Sequence, residues 1–135
     1  MQFTEENLRR FETILARYPV KRSALIPALH LVQEQEGWIT GAAIEYVAKL
    51  LELTPAQAHD TASFYTMFRF RPEGKHHIEV CTNISCALNG AEELVERICA
   101  RLGVPEGGTT ADGEWTVHRV ECLAACGGAP AMQVD

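Results

Sequence analysis

The chain has 135 residues, 47% of them hydrophobic and 22% charged, with a formal net charge of −6. That length bounds one domain or two small ones and buries enough surface to fold without disulfides. The acidic balance argues against nucleic acid or an anionic membrane as the main partner. The start, Met1-Gln2-Phe3-Thr4-Glu5-Glu6, lacks the basic and apolar regions of a secretory signal and is too acidic for a transit peptide.

The first seventy residues read as helices. Thr4 is placed to cap a helix with Leu8, Phe11, Leu15 and Tyr18 on one face, ended by Pro19. Ser23 is placed to cap a second helix running to Gly37, with Leu25, Leu29 and Val32 as its stripe and Pro27 near its first turn. Thr40 opens a third helix with Ile44, Val47, Ala48 and Leu51 on one face. Thr54-Pro55-Ala56-Gln57 is a capping box with proline at the first helical position, so a fourth helix starts there. The aromatic run Phe64 to Phe70 is expected to pack in the core between subdomains, the alternative being a docking surface.

At Arg71-Pro72-Glu73-Gly74 the pattern changes, and residues 1–73 and 74–135 are expected to form two domains. Ile78 to Cys81 alternates as a strand, Thr82 to Asn89 reads as a loop, and Gly90 to Leu102 as a helix stopped by Gly103. Trp115 to Val120 is a second strand, Cys122 to Gly128 a loop, and Pro130 to Val134 a last short strand. The longest mostly apolar stretch, Ala24 to Val32, is far too short to span a bilayer. A cytoplasmic protein is expected, where thiols stay reduced and clustered cysteines point to metal or catalysis.

Four of the five cysteines fall in two pairs, Cys81 with Cys86 (C-x4-C) and Cys122 with Cys126 (C-x3-C), each in a loop just after a strand. Adjacent strand ends would bring all four sulfurs together. Two irons need two thiolates each, which a pair from each loop supplies. Zinc gathers four thiolates around one ion and usually uses C-x2-C knuckles, although it tolerates C-x4-C, so both metals stay open with iron–sulfur the better fit. There are no histidines for a Rieske centre within the pairs and no C-x-x-C for thiol exchange. Gly127-Gly128 would permit positive φ and close approach of backbone N–H groups to sulfur. Thr82, Asn83 and Ser85 serve either to stabilise cluster charge or as simple turn residues. Cys99 shares a helix face with Val95, Ile98 and Leu102 and reads as a core residue, and the five histidines read as structural or surface residues. No nucleotide-binding glycine motif and no nucleophile–base arrangement occurs, so no catalytic residue is assigned.

Cys81-Thr-Asn-Ile-Ser-Cys86-Ala-Leu-Asn-Gly90 and Glu121-Cys122-Leu-Ala-Ala-Cys126-Gly-Gly-Ala-Pro130 resemble the two cluster loops of the E-type subunits of bacterial NADH:quinone oxidoreductase (complex I). Lys21 to Leu29, Gln33 to Ile39 and Phe64 to Phe68 are similar to that family as well. The resemblance implies an N-terminal helical bundle followed by a thioredoxin-like domain, of mixed α+β or α/β class. It implies one [2Fe–2S] cluster on Cys81, Cys86, Cys122 and Cys126. It also implies a flavoprotein partner carrying FMN, a [4Fe–4S] cluster and the NADH site, with this chain's cluster near the flavin and holding one electron of the hydride pair. The chain would then act as a subunit of an oxidoreductase, peripheral on the cytoplasmic side of a membrane complex, without inserting into the membrane itself. Two departures stand out: Ala124 lies where the family usually has glycine, and the chain ends in what should be the last strand, short of the family's usual C-terminal segment. The equivalent subunit of an NAD-dependent formate dehydrogenase or hydrogenase, and a zinc-stabilised non-redox adaptor, are the alternatives.

Overall fold

The computed structural model describes all 135 residues, Met1 to Asp135. They divide into two compact units, Met1–Pro72 and Glu73–Asp135, and the class is α+β. No helix is long and apolar enough to cross a membrane.

The first unit holds α1 (Glu5–Leu15), α2 (Leu25–Glu36), α3 (Gly41–Leu50) and α4 (Pro55–Phe64). Caps set three of the starts. The Thr4 hydroxyl accepts from Asn7 N–H, the Thr40 hydroxyl accepts from Ala43 N–H, and the Thr54–Gln57 box closes in both directions. Gly37 ends α2 in the left-handed conformation at φ 82°. The α2 helix contacts the other three, and its Leu25, Ala28, Leu29, Leu31 and Val32 are all buried. It is therefore more fully enclosed than a single stripe of Leu25, Leu29 and Val32 predicts.

Three expectations change here. The α1 helix stops at Leu15, where i→i+3 bonds from Arg17 to Ile14 and Tyr18 to Leu15 tighten the chain before Pro19. Its buried positions are Asn7 and Phe11, while Leu8 and Tyr18 are exposed. The reason is polar: Asn7 Nδ2 and Thr4 N–H both donate to Gln35 Oε1 on α2, which turns Asn7 inward. Ser23 caps nothing, because it lies inside a short 3-10 turn, Lys21–Ala24, that runs straight into α2. The third change is the aromatic run, of which only Phe68 is buried. Gln33 on α2 donates to Met67 O and accepts from Arg69 N–H, and Ile39 N–H donates to Arg69 O. With the turn bond from Phe68 N–H to Tyr65 O at 3.2 Å, they fix the path of a bent segment in which Phe68 turns inward onto His30 (centroids 5.0 Å) and Phe64 stays 78% exposed.

The second unit is a three-stranded sheet, order β2-β1-β3, from β1 (His76–Cys81), β2 (Trp115–Val120) and β3 (Met132–Val134). The β1 and β2 strands are parallel, with His76 opposite Trp115 and Cys81 opposite Val120, whereas β3 is antiparallel to β1. The parallel pair needs a long crossover, which contains α6 (Ala91–Leu102). Glycines bound that helix at φ 90° (Gly90) and 68° (Gly103). Val80 and Val95 meet in its core, and Arg119 on β2 pairs with Glu92 on α6 and with Glu106 at 2.8 Å. The predicted loop from Thr82 to Asn89 contains a five-residue helix, α5 (Ile84–Leu88).

Gly74 fixes the entry to β1. Its N–H donates to the buried Thr116 hydroxyl at 2.7 Å, and a Cβ there would sit 2.8 Å from the Trp115 carbonyl carbon. The clash is with backbone, which cannot swing aside. Gly74→Ala is expected to destabilise the second unit by about 1–3 kcal/mol, read as a lower denaturant midpoint with unchanged slope; an unshifted midpoint would contradict the packing described.

Candidate metal centre

Because β1 and β2 run parallel, both carboxyl ends lie at the same edge of the sheet. Cys81 is the last residue of β1, and Cys122 follows the end of β2 by two positions. The ladder continues one step further, through Thr82 N–H to Val120 O at 3.0 Å, and it holds the two loops side by side. Cys81 Sγ donates across to Glu121 O at 3.4 Å.

The first loop folds Cys86 back onto Cys81. Asn83 starts α5, its Oδ1 accepting from Ile84 N–H at 2.8 Å. One turn later α5 turns Cys86 into the interior, where its thiol is in hydrogen-bond contact with Cys81. Ala131, just before β3, serves both residues: its carbonyl accepts from Cys81 N–H at 3.0 Å and its N–H donates to the Cys86 sulfur. Asn83 is thus a helix cap, which is the turn chemistry of the two roles expected for it.

The second loop is open to solvent. Cys122 and Cys126 are both exposed. Cys122 Sγ accepts from Ala124 N–H at 3.3 Å, and Cys126 begins a 3-10 turn ending at Gly128. The freedom expected of Gly127-Gly128 is not used, since neither has positive φ; the residue in the left-handed region is Ala124, at φ 55°. A side chain there costs about 1–2 kcal/mol against glycine's free access, part of which is offset because glycine loses more entropy on folding. Ala124→Gly is expected to raise stability by roughly 0.5–1 kcal/mol, measured by chemical denaturation of the metal-free protein. A loss of stability would show that the strain is absent.

The sulfurs differ electrostatically. N–H groups of Asn83 and Leu123, and then the Cys86 thiol, hold the Cys81 thiol below its ordinary range. At Cys86 the Ala131 N–H acts in the same direction, but burial, the Cys81 thiol and the charges of Cys81 and Cys126 outweigh it and push that thiol up. Cys99 lies apart on α6, half-buried against the core around Val95, with its thiol pushed up by burial. Of the four paired sulfurs two lie inside and two outside, and as a set they would suit a soft metal or a cluster.

Glu73, His77 and His118 make the one group of three or more candidate ligand atoms lying mutually within 4.8 Å. The sequence alone presents His77 and His118 as structural or surface residues. The signal it offers for their grouping is the i, i+4 spacing of Glu73 and His77 and the matching strand position of His118. The edge of the site is apolar: Ile84 and Leu88 flank Cys86 on α5 and are 75% and 83% exposed.

Comparison with known proteins follows the same residues. The family profile described as thioredoxin-like [2Fe-2S] ferredoxin matches residues 11–135. The E-type subunit of NADH-quinone oxidoreductase from Rickettsia prowazekii is 43% identical over 98% of this chain and 77% of its own length. NADH-quinone oxidoreductase subunit 2 of Thermus thermophilus is 42% identical over 100% of this chain and 76% of its own. Among solved structures, an NAD+-reducing [NiFe]-hydrogenase in the H2-reduced state superposes with a TM-score of 0.69 at 25% identity, over 83% of this chain and 19% of the hydrogenase chain.

Proposed function

Because this chain belongs to the thioredoxin-like [2Fe-2S] ferredoxin family, we propose that it is the one-electron carrier subunit of the NADH-oxidising module of an NADH:quinone oxidoreductase. Cys81 and Cys86 would hold one iron of a [2Fe–2S] cluster, and Cys122 and Cys126 the other. The observation that carries this reading is the meeting of two cysteine loops at one edge of a parallel strand pair, in a chain 42–43% identical to NADH-quinone oxidoreductase subunits over nearly its whole length.

When bound, such a cluster takes up and gives back one electron at a time. The chain's own part is to position and tune it. N–H groups of Asn83 and Leu123 donate to Cys81, that of Ala131 to Cys86 and that of Ala124 to Cys122; each stabilises thiolate charge and thereby the potential. The exposed side, at Cys122 and Cys126, would face the partner, with Ile84 and Leu88 as an apolar docking edge. The partner would be a flavoprotein subunit carrying FMN, a [4Fe–4S] cluster and the NADH site. With no membrane-crossing helix of its own, the subunit would sit on the cytoplasmic side of the complex through that partner.

The hydrogenase superposition favours a second reading, the same module in an NAD+-reducing hydrogenase. The identity to that chain is lower, 25% against 42–43%, and the quinone-linked complex is preferred. Neighbouring genes would separate the two.

The test is anaerobic purification with assay of iron, sulfide and zinc per chain, and visible and EPR spectra before and after dithionite. About two irons and two sulfides, with a paramagnetic signal on reduction, are expected. One zinc with no sulfide and no signal would overturn the electron-carrier reading and leave a structural adaptor.

A further inference from the structure

At the opposite end of β1 from Cys81, the sheet carries a second set of donor atoms. His77 is opposite Thr116 in the parallel register. His118, two positions along β2, is therefore its diagonal neighbour on the same face. Their rings stack in parallel, 3° apart in plane with centroids 6.1 Å apart. Both present a nitrogen to one carboxylate oxygen: His77 Nδ1 lies 3.4 Å and His118 Nε2 3.2 Å from Glu73 Oε2. Glu73 is held against β2 by the Gly74 N–H bond to Thr116.

We propose that Glu73, His77 and His118 form a binding site for one divalent transition-metal ion of the zinc type. Two imidazole nitrogens and one carboxylate oxygen are the donors of open three-ligand zinc sites. Bonds of 2.0–2.2 Å give tetrahedral edges of about 3.3–3.5 Å, and the two N···O separations are 3.2 and 3.4 Å. The 3.2 Å pair is also within ordinary hydrogen-bond range, so the same geometry serves a hydrogen-bonded cluster when no ion is bound. The side chains of Glu73 and His77 are 9% and 6% exposed, so two of the three donors are shielded from bulk water. His118, at 26%, is the most exposed of the three. His77 and Cys81 are four residues apart on one strand, roughly 13 Å, so the site is separate from the cysteine loops and does not rest on the electron-carrier reading.

The experiment uses the full chain with its cluster intact, iron and sulfide being quantified alongside. It is freed of other metals, titrated with Zn2+ by calorimetry, and gel-filtered for elemental analysis. Co2+ is then substituted for a visible spectrum. One zinc per chain beyond the cluster iron is expected, with cobalt d–d bands and no thiolate-to-cobalt charge-transfer band. Glu73→Gln and His118→Gln are each expected to weaken zinc binding at least roughly tenfold, with iron and sulfide unchanged. Absence of bound zinc in the wild type, undiminished binding in a folded His118→Gln variant, or a thiolate band with cobalt would overturn the proposal. The wild-type measurements decide it even if a variant fails to fold. Loss of iron and sulfide would count against the electron-carrier reading alone.

Discussion

Cys86→Ser is expected to give a folded protein that has lost nearly all its colour. Cys86 is buried on α5 against Cys81, and its backbone path is set by the Asn83 cap and not by its thiol. Serine fills the same space, so the fold should persist. Its hydroxyl is not ionised at neutral pH, however, and it offers a poor replacement for a thiolate in an interior where charge is already disfavoured. Iron and sulfide per chain should fall at least roughly tenfold, which corresponds to about 1.4 kcal/mol or more of lost cluster affinity. The exposed Cys122→Ser should be milder, retaining a cluster with altered visible and EPR spectra, because water and the open loop help to carry the charge. Unchanged spectra in Cys86→Ser would remove that residue from the ligand set. Circular dichroism of both variants would show whether the helices are intact.

Leu29→Ala is expected to cost the first unit about 3 kcal/mol, within the 2–5 kcal/mol seen for emptied leucine sites. Leu29 is fully buried in α2, the helix that touches all three others. The cavity therefore has rigid walls on every side and collapses poorly. Thermal unfolding followed by circular dichroism at the helical band should show an early loss of helix. If the cluster absorbance of the second unit survives to the wild-type temperature, the two compact units unfold separately. A shift smaller than about 1 kcal/mol would mean that α2 is packed more loosely than described.

Much of this is legible in the residues, and the failures have identifiable causes. Trp115 to Val120 is readable to the residue because β-branched and aromatic side chains are bounded by a glycine turn and a cysteine loop. The Thr54–Gln57 box and the glycines at 37 and 103 mark helix ends through local chemistry alone. By contrast, α5 is invisible because five residues are too few for a helical period to register. The rotation of α1 escapes its own sequence because it is decided by Gln35, some thirty positions away. The aromatic run misleads for a related reason. Its composition suggests a core, but its backbone bonds to Gln33 and Ile39 fix which residue turns inward. In the cysteine loops, spacing reveals the pairs but not which loop is buried, nor that Ala124 takes the left-handed turn expected of Gly127-Gly128. Glu73, His77 and His118 come from one turn and two strands, a grouping that only sheet register creates.

The parallel pairing of β1 with β2 also sets an order in time. It joins residues roughly forty positions apart, such as His76 and Trp115, whereas the helices of the first unit form from neighbours in sequence. Non-local pairing of this kind is slow, because the intervening loop must close before any contact rewards it. The helical unit should therefore be complete while the two cysteine pairs are still on separate, unjoined segments. The four sulfurs are thus expected to meet late in folding, after the helices, and thiol labelling during refolding timed against the recovery of circular dichroism would check that order.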